Sequence, residues 1–286
     1  MKKEKMCYDG YLVRNLDPIT LLSPYIMPRR TDSQVLLDLK LDLTKVEKFI
    51  REQRENIPGL TLYHVVFATV VRAAAITPEI NRFIAGNRLY QRRHVKISMM
   101  VKRALKIDGD ETGIFPTFET SDTLADIVRK TTEAYNAAME EMNKDDQGAF
   151  DKLLGILEIL PTPILKAFIK LVLYLDGRGK LPKFLTEVQP FHSSFFVTNV
   201  GSIGLPVIYH HLYEFGTTSG FVSMGAKESV SKIKPDGSVE TYRVLPLRFV
   251  LDSRICDGFT YSTACRTIKR CFMHPEMLLE SYQKEA

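Results

Sequence analysis

The 286-residue chain is predicted to fold as an α/β or α+β domain, a sheet with helices over one face. Three observations point there. Strand-like and helix-like segments alternate through the first half, the last third is rich in strands, and 45% of residues are hydrophobic against 26% charged. With no internal repeat or low-complexity tract, residues 1–286 are expected to form a single domain. A helical apolar insertion is expected at about residues 149–180 of that domain.

The elements follow in order. Residues 34–43 alternate Val35, Leu37, Leu39 and Leu41 with partly polar neighbours, the pattern of a half-buried strand. Thr44 with Glu47 three residues on reads as a capping box opening a helix. Residues 122–142 read as a long amphipathic helix with an acidic end. The turn signal Pro235-Asp236-Gly237 joins a strand at 227–233 to a terminal strand at 243–251. After Gly258 a helix runs through Thr263, Ile268 and Phe272 and stops at Pro275.

Residues 153–175 approach the length of a membrane span, yet they contain Glu158, Lys166 and Lys170. Each charge at mid-span costs about 2.5–3.5 kcal/mol, which argues against insertion. Pro161 and Pro163 divide the segment into two short helices, because the residue before a proline disfavours helix. Such a hairpin can pack on the core, line an acyl-binding channel or lie on a membrane surface; core packing is the usual fate of an apolar helix.

The most informative stretch is Asp252-Ser253-Arg254-Ile255-Cys256-Asp257-Gly258, where the terminal strand turns into the last helix. A reactive group there is held by rigid elements on both sides. This corner resembles the His-x-x-x-Asp-Gly motif of the catalytic domain of 2-oxo-acid dehydrogenase acyltransferase subunits and, more distantly, of chloramphenicol acetyltransferase. Asp257 and Gly258 match, and Ser253 stands where that family has its histidine. Phe195-Phe196-Val197-Thr198-Asn199-Val200-Gly201 is similar to the family's strand-turn block, with Thr198 at its hydroxyl position. Gly220-Phe221-Val222-Ser223-Met224-Gly225 matches the following strand. Earlier blocks agree in order: residues 61–75 as a buried helix, Pro78-Glu79-Ile80-Asn81 as a turn, residues 95–101 as a core strand, and 113–116 and 121–127 as a strand and helix. The resemblance covers about residues 34–146 and 192–280.

The resemblance implies a two-layer sandwich with a large mixed sheet, assembled as a homotrimer with active sites between subunits. It implies coenzyme A as acyl donor or product, no metal, and a small-molecule or carrier-bound acyl substrate. No lipoyl-type domain is read ahead of the fold, so a stand-alone enzyme is expected. In the family, histidine is the base, the Ser or Thr hydroxyl donates to the oxyanion, and the aspartate braces the turn, commonly by accepting an arginine. Arg29 and Arg30 are candidates for that arginine here.

Acyl transfer from a thioester needs a base, an oxyanion donor and a channel for both substrates. Serine cannot replace imidazole, which titrates near ~6.5. General-base assistance is worth about 10²–10⁴ in rate, so Ser253 implies reduced activity or none. His211, with its neighbour His210, is the best replacement candidate; His192 is a weaker one. His64, His94 and His274 read as structural, and Cys256 as a buried apolar group. Two readings follow: a CoA-dependent acyltransferase-like protein, or an inactive trimer that binds CoA, an acyl chain or a partner.

The net charge of +5 is scattered along the chain, unlike the basic stripe of a nucleic-acid binder. Lys102, Arg103 and Lys106, or Arg88, Arg92 and Arg93, could meet coenzyme phosphates, although solvated charge is the ordinary reading. Four cysteines without metal-site spacing, and an N-terminus with lysines but no apolar run, suggest free thiols and a cytoplasmic location.

Overall fold

The computed structural model describes residues 6–102, 111–143, 155, 157–187 and 189–283. The chain enters through strands β1 (Met6–Cys7) and β2 (Gly10–Leu12) and helix α1 (Pro18–Ile26). Strand β3 (Gln34–Asp42) precedes helices α2 (Thr44–Gln53) and α3 (Leu62–Ile76). Then come β4 (Arg82–Ala85), β5 (Arg88–Arg92), β6 (Val95–Lys102), β7 (Glu111–Ile114), β8 (Thr117–Phe118) and helix α4 (Leu124–Asn143). Helices α5 (Thr162–Gly177) and α6 (Lys183–Glu187) lead to β9 (Phe195–Asn199), β10 (Gly220–Met224), β11 (Glu228–Ile233), β12 (Val239–Asp252) and helix α7 (Gly258–Met273).

The main sheet has eight strands. Its centre runs β12, β10, β9, β6, β7, with β3 paired to β12 and β8 to β6. Strand β9 lies parallel to both β10 and β6, while the other pairings are antiparallel, so the sheet is mixed. Beyond a bulge at residues 225–227, β11 continues along β12 where β10 leaves it. A second, four-stranded antiparallel sheet has the order β1, β2, β5, β4.

Strand alternation sorts the side chains of the main sheet into two faces. Leu39, Ile97, Phe195, Val197, Val222, Leu247 and Phe249 point to one face and pack on α3 and α7. Helix α3 is apolar nearly all round and buried accordingly, which is what a central core helix requires. The opposite face carries Phe196, Phe221 and Val250, covered by Leu212 of the 205–219 segment.

Two expectations are corrected. Thr44 is the first helical residue and not a cap: its N–H donates to the Asp42 carboxylate at 2.8 Å, and Glu47 instead pairs with Lys227 and Arg243. The capping box lies at Thr61 and His64, where the Thr61 N–H donates to His64 Nδ1 at 3.1 Å. The apolar insertion breaks at Pro161, as its prolines require, but α5 does not pack on the core. Asp176 is its only buried residue, while Ile164, Leu171, Leu173 and Tyr174 are exposed. Residues 149–154 and 156 of that insertion lie outside the described residues.

Candidate functional site

Thr198 stands one residue from the end of β9, half-buried on the face opposite the helices. The pairing register sets it beside Ser223 of β10, then Arg248 of β12, then Asp38 of β3. This polar row crosses the same sheet face as Phe196, Phe221 and Val250. Ser223 Oγ is buried without a hydrogen-bond partner, and so is Arg248 Nε. Arg248 donates from Nη1 to the Val207 carbonyl at 2.7 Å and lies 4.5 Å from the centroid of the Tyr209 ring.

The turn after β9 depends on Gly201. A Cβ at that position would collide with the Gly225 carbonyl, so only glycine lets the turn close against β10. Asn199 fixes the same turn by accepting the Ser202 N–H at 3.2 Å. The chain then folds back over the sheet and stacks the His210 ring on Phe221, with centroids 4.2 Å apart and planes 10° from parallel. His211 stacks outside His210 at 4.7 Å and is exposed. His210 Nδ1 lies 2.9 Å from the His211 carbonyl, an acceptor only, which assigns the ring proton to Nδ1 and leaves the Nε2 lone pair open. Phe221 is diagonal to Thr198 across one strand, about 8 Å between Cα atoms on standard strand spacings. Of the adjacent histidines, His210 is therefore the one held against the sheet near Thr198; His211 lies farther out.

The second motif forms a different structure. Asp252, fully buried, accepts Arg254 Nε at 2.8 Å and Nη2 at 2.7 Å, and its Oδ1 also accepts the Ser33 hydroxyl at 3.1 Å. Arg30 approaches the same carboxylate, Nε to Oδ2 at 3.6 Å, while its other nitrogens donate to the carbonyls of Tyr213 and Gly216. Burial pulls the Arg30 guanidinium below its usual range, and Asp252 opposes that shift. The arginine sought for Asp257 therefore belongs to Asp252. Asp257 is exposed and caps α7, accepting the Thr260 N–H at 2.7 Å; hydrogen bonds from Thr260 hold its carboxyl below the usual carboxylate range.

Ser253 is half-buried, and its N–H donates to the Ser33 carbonyl at 2.8 Å. Among the described residues no side chain hydrogen-bonds its hydroxyl, so nothing there activates it. Register places Ser253 and Thr198 at opposite ends of the sheet, since Leu251 pairs with Gly220 and Gly220 with Phe195. Five residues along and two strands across amount to roughly 15–20 Å within one chain. The structure does not bring the two motifs together in a single protomer.

The other histidines have partners. His94 pairs with Glu119 at 2.8 Å and His274 with Glu276 at 3.3 Å. His192 is buried: its Nε2 lies 2.8 Å from Asp176 Oδ1 and its Nδ1 contacts the Gln189 amide. Asp176 also accepts the Tyr8 hydroxyl at 3.1 Å and the Gly216 N–H at 2.6 Å. Both ring nitrogens of His192 are thus engaged, and the cluster fastens the end of α5 to the fold. The sequence signal was a lone aspartate closing an apolar run. Arg92 is buried on Asp9, Ser193 and Thr217 and is closed to a coenzyme phosphate; Arg103 and Lys106 lie outside the described residues. Among the described residues no cluster of His, Cys, Asp and Glu is arranged for a metal, and no helix is long and apolar enough to cross a membrane.

No protein-family model matches the chain, and no curated protein sequence does. Solved structures do match. The cubic core of the pyruvate dehydrogenase multienzyme complex superposes with a TM-score of 0.57 at 14% identity, over 93% of this chain and 94% of that one. The dihydrolipoamide acetyltransferase of Azotobacter vinelandii gives 0.57 at 15% identity over the same shares. A chloramphenicol acetyltransferase gives 0.50 at 12% identity over 95% and 100%. The fold is that of the chloramphenicol-acetyltransferase-like acyltransferases. At such identities the likeness speaks for architecture, and the chemistry must be argued from this chain's residues.

Proposed function

We propose that the protein is a coenzyme-A-dependent acyltransferase-like protein whose chemistry centres on the Thr198 end of β9. The observation that carries this reading is the His210 ring stacked beside the Thr198–Ser223–Arg248 row with its Nε2 lone pair open. In the proposed reaction His210 Nε2 takes the proton of an attacking thiol, alcohol or amine. The nucleophile adds to the thioester carbonyl, and the Thr198 hydroxyl donates to the resulting oxyanion. Collapse breaks the carbon–sulfur bond, and the departing CoA thiolate recovers the proton from the imidazolium.

The relocated base differs from the family pattern, in which the histidine would stand at Ser253. Because Ser253 and Thr198 are far apart in one chain, we propose a homotrimer in which the Ser253 corner of one protomer faces the Thr198 end of the next. We also propose a cytoplasmic location, in keeping with Cys256 and Cys271, which are buried as thiols in the core around α7.

The hydroxyl of Ser253, lacking a base, favours a second reading: a pocket that binds CoA or an acyl group without turning it over. One experiment separates the two. Purified protein given a panel of acyl-CoA donors with thiol and amine acceptors should release CoA, His210→Ala should abolish release, and Ser253→His should accelerate it. Calorimetric binding of CoA with no release by either the native chain or Ser253→His would retire the enzymatic reading and leave the binding one.

A further inference from the structure

A cavity of about 950 Å³ opens at the β7 edge of the main sheet, between β6, β7, the second half of α4 and the segment around α6. Thr198 and Ser253 do not line it. Its walls are largely apolar, formed by Met100, Ile114, Phe115, Ala134, Ala138 and Leu181. Its size falls within the range of small-molecule sites, about 300–1,000 Å³.

Most charges at its wall are already compensated. Asp9 is bound by Arg92 at 2.6 and 2.7 Å, His94 by Glu119 at 2.8 Å, and Lys183 by Glu187 at 3.2 Å. The Tyr8 hydroxyl is committed to Asp176, and Glu141 is exposed on α4. Lys96 is different. It projects from β6 into the cavity, its Nζ lies 5.5 Å from the centroid of the Phe115 ring, and among the described residues no carboxylate reaches it as an ion pair. Its backbone is fixed on both sides by Ser194, which hydrogen-bonds the Lys96 N–H and carbonyl at 3.0 and 2.8 Å. Burial, with Arg92 adding to it, holds the amine below its usual range.

A fixed, poorly hydrated ammonium without a counterion in an apolar cavity is completed by one negative charge attached to an apolar body. We propose that this cavity binds an amphipathic carboxylate, with Lys96 taking the carboxylate and the Phe115 side of the cavity taking the hydrocarbon. A phosphate dianion fits less well, because one ammonium would leave a residual charge close to Glu187 and Asp9. The site stands independently of the acyl-transfer reading.

The test is calorimetric titration of the whole protein at pH 7 with octanoate, octanol and octylamine. Octanoate should bind at least about ten-fold more tightly than octanol, the value of one charge-assisted contact, and octylamine should bind most weakly. Lys96→Met should bring octanoate to the affinity of octanol, whereas Lys96→Arg should keep the preference. In protein reductively methylated with ¹³C, the Lys96 resonance should titrate at higher pH once octanoate is bound, a readout that needs no variant to fold. Equal affinity for octanoate and octanol, a preference that survives Lys96→Met, or an unmoved Lys96 titration would overturn the proposal. Failure to release CoA would leave it untouched.

Discussion

Arg254 grips Asp252 through two hydrogen bonds, Nε to Oδ1 at 2.8 Å and Nη2 to Oδ2 at 2.7 Å, with both side chains buried. Arg30 completes the cluster from the N-terminal segment. The Tyr261 hydroxyl donates to the Asp252 carbonyl at 2.7 Å and joins α7 to it. The corner beside Ser253 is therefore built around a buried carboxylate.

Removing that carboxylate leaves two buried guanidinium groups uncompensated. Asp252→Ala is expected to cost about 3–5 kcal/mol, the range for breaking a buried ion pair. Urea unfolding monitored by circular dichroism measures it. A loss below about 1 kcal/mol, the range of exposed pairs, would contradict the burial described.

Gly201→Ala should destabilise the turn after β9, because the added methyl meets the Gly225 carbonyl. Overpacking of this kind costs about 1–3 kcal/mol. Thermal unfolding measures the cost, and Gly204→Ala, at a glycine with open space but a φ of +77°, provides a comparison that reports backbone strain alone.

On the acyl-transfer reading, Thr198→Val removes the oxyanion donor while keeping a β-branched side chain. It should lower kcat by roughly 10²–10³-fold with little change in KM, as loss of such a donor does. Steady-state assay of CoA release measures it. A rise in KM alone would assign Thr198 to binding.

Stability should fall as the solution is acidified from pH 7 toward 5. Burial lowers the pKa of His192, against Asp176, which pulls it up; burial lowers that of His64 as well. A base whose folded pKa lies below its unfolded value, near ~6.5, contributes stability that is fully present above that value and is lost as pH falls through the window beneath it. Burial alone would raise Asp176, but hydrogen bonds from His192, Gly216 and Tyr8 leave it lowered. Its contribution is present above about 3.9 and is lost only below that. Urea midpoints from pH 8 to 5 measure the effect, and His192→Gln should flatten the slope; an unchanged slope would remove His192 as its cause.

The strands were legible where one face is buried. In β3 the alternation of apolar and polar residues is fixed by the pleat, and the strand lies where the pattern puts it; β12 contains the expected strand at 243–251 but begins earlier, at Val239. The glycine at 258 and the proline at 275 bounded α7 for local reasons of backbone geometry. Local pattern also misled. Thr44 and Glu47 have the spacing of a capping box, yet Asp42 reaches the Thr44 N–H first and distant cations claim Glu47. Arg29 and Arg30 are equal candidates for an arginine on Asp257, because nothing in the order of residues reveals that Asp252 is the buried carboxylate that Arg30 approaches.

The sequence by itself determined the order of strands and helices and the strand-to-helix corner at residues 252–258, because each depends on neighbours a few residues away. Only the tertiary structure decided that Thr198 and Ser253 occupy opposite ends of the sheet, that His210 lies on Phe221, and that Lys96 faces a cavity with no ion-pair partner among the described residues. Those facts arise from strand pairing and burial between residues far apart in the chain. Electrostatics and solvation are set there by what the fold brings alongside, and not by what adjoins in sequence.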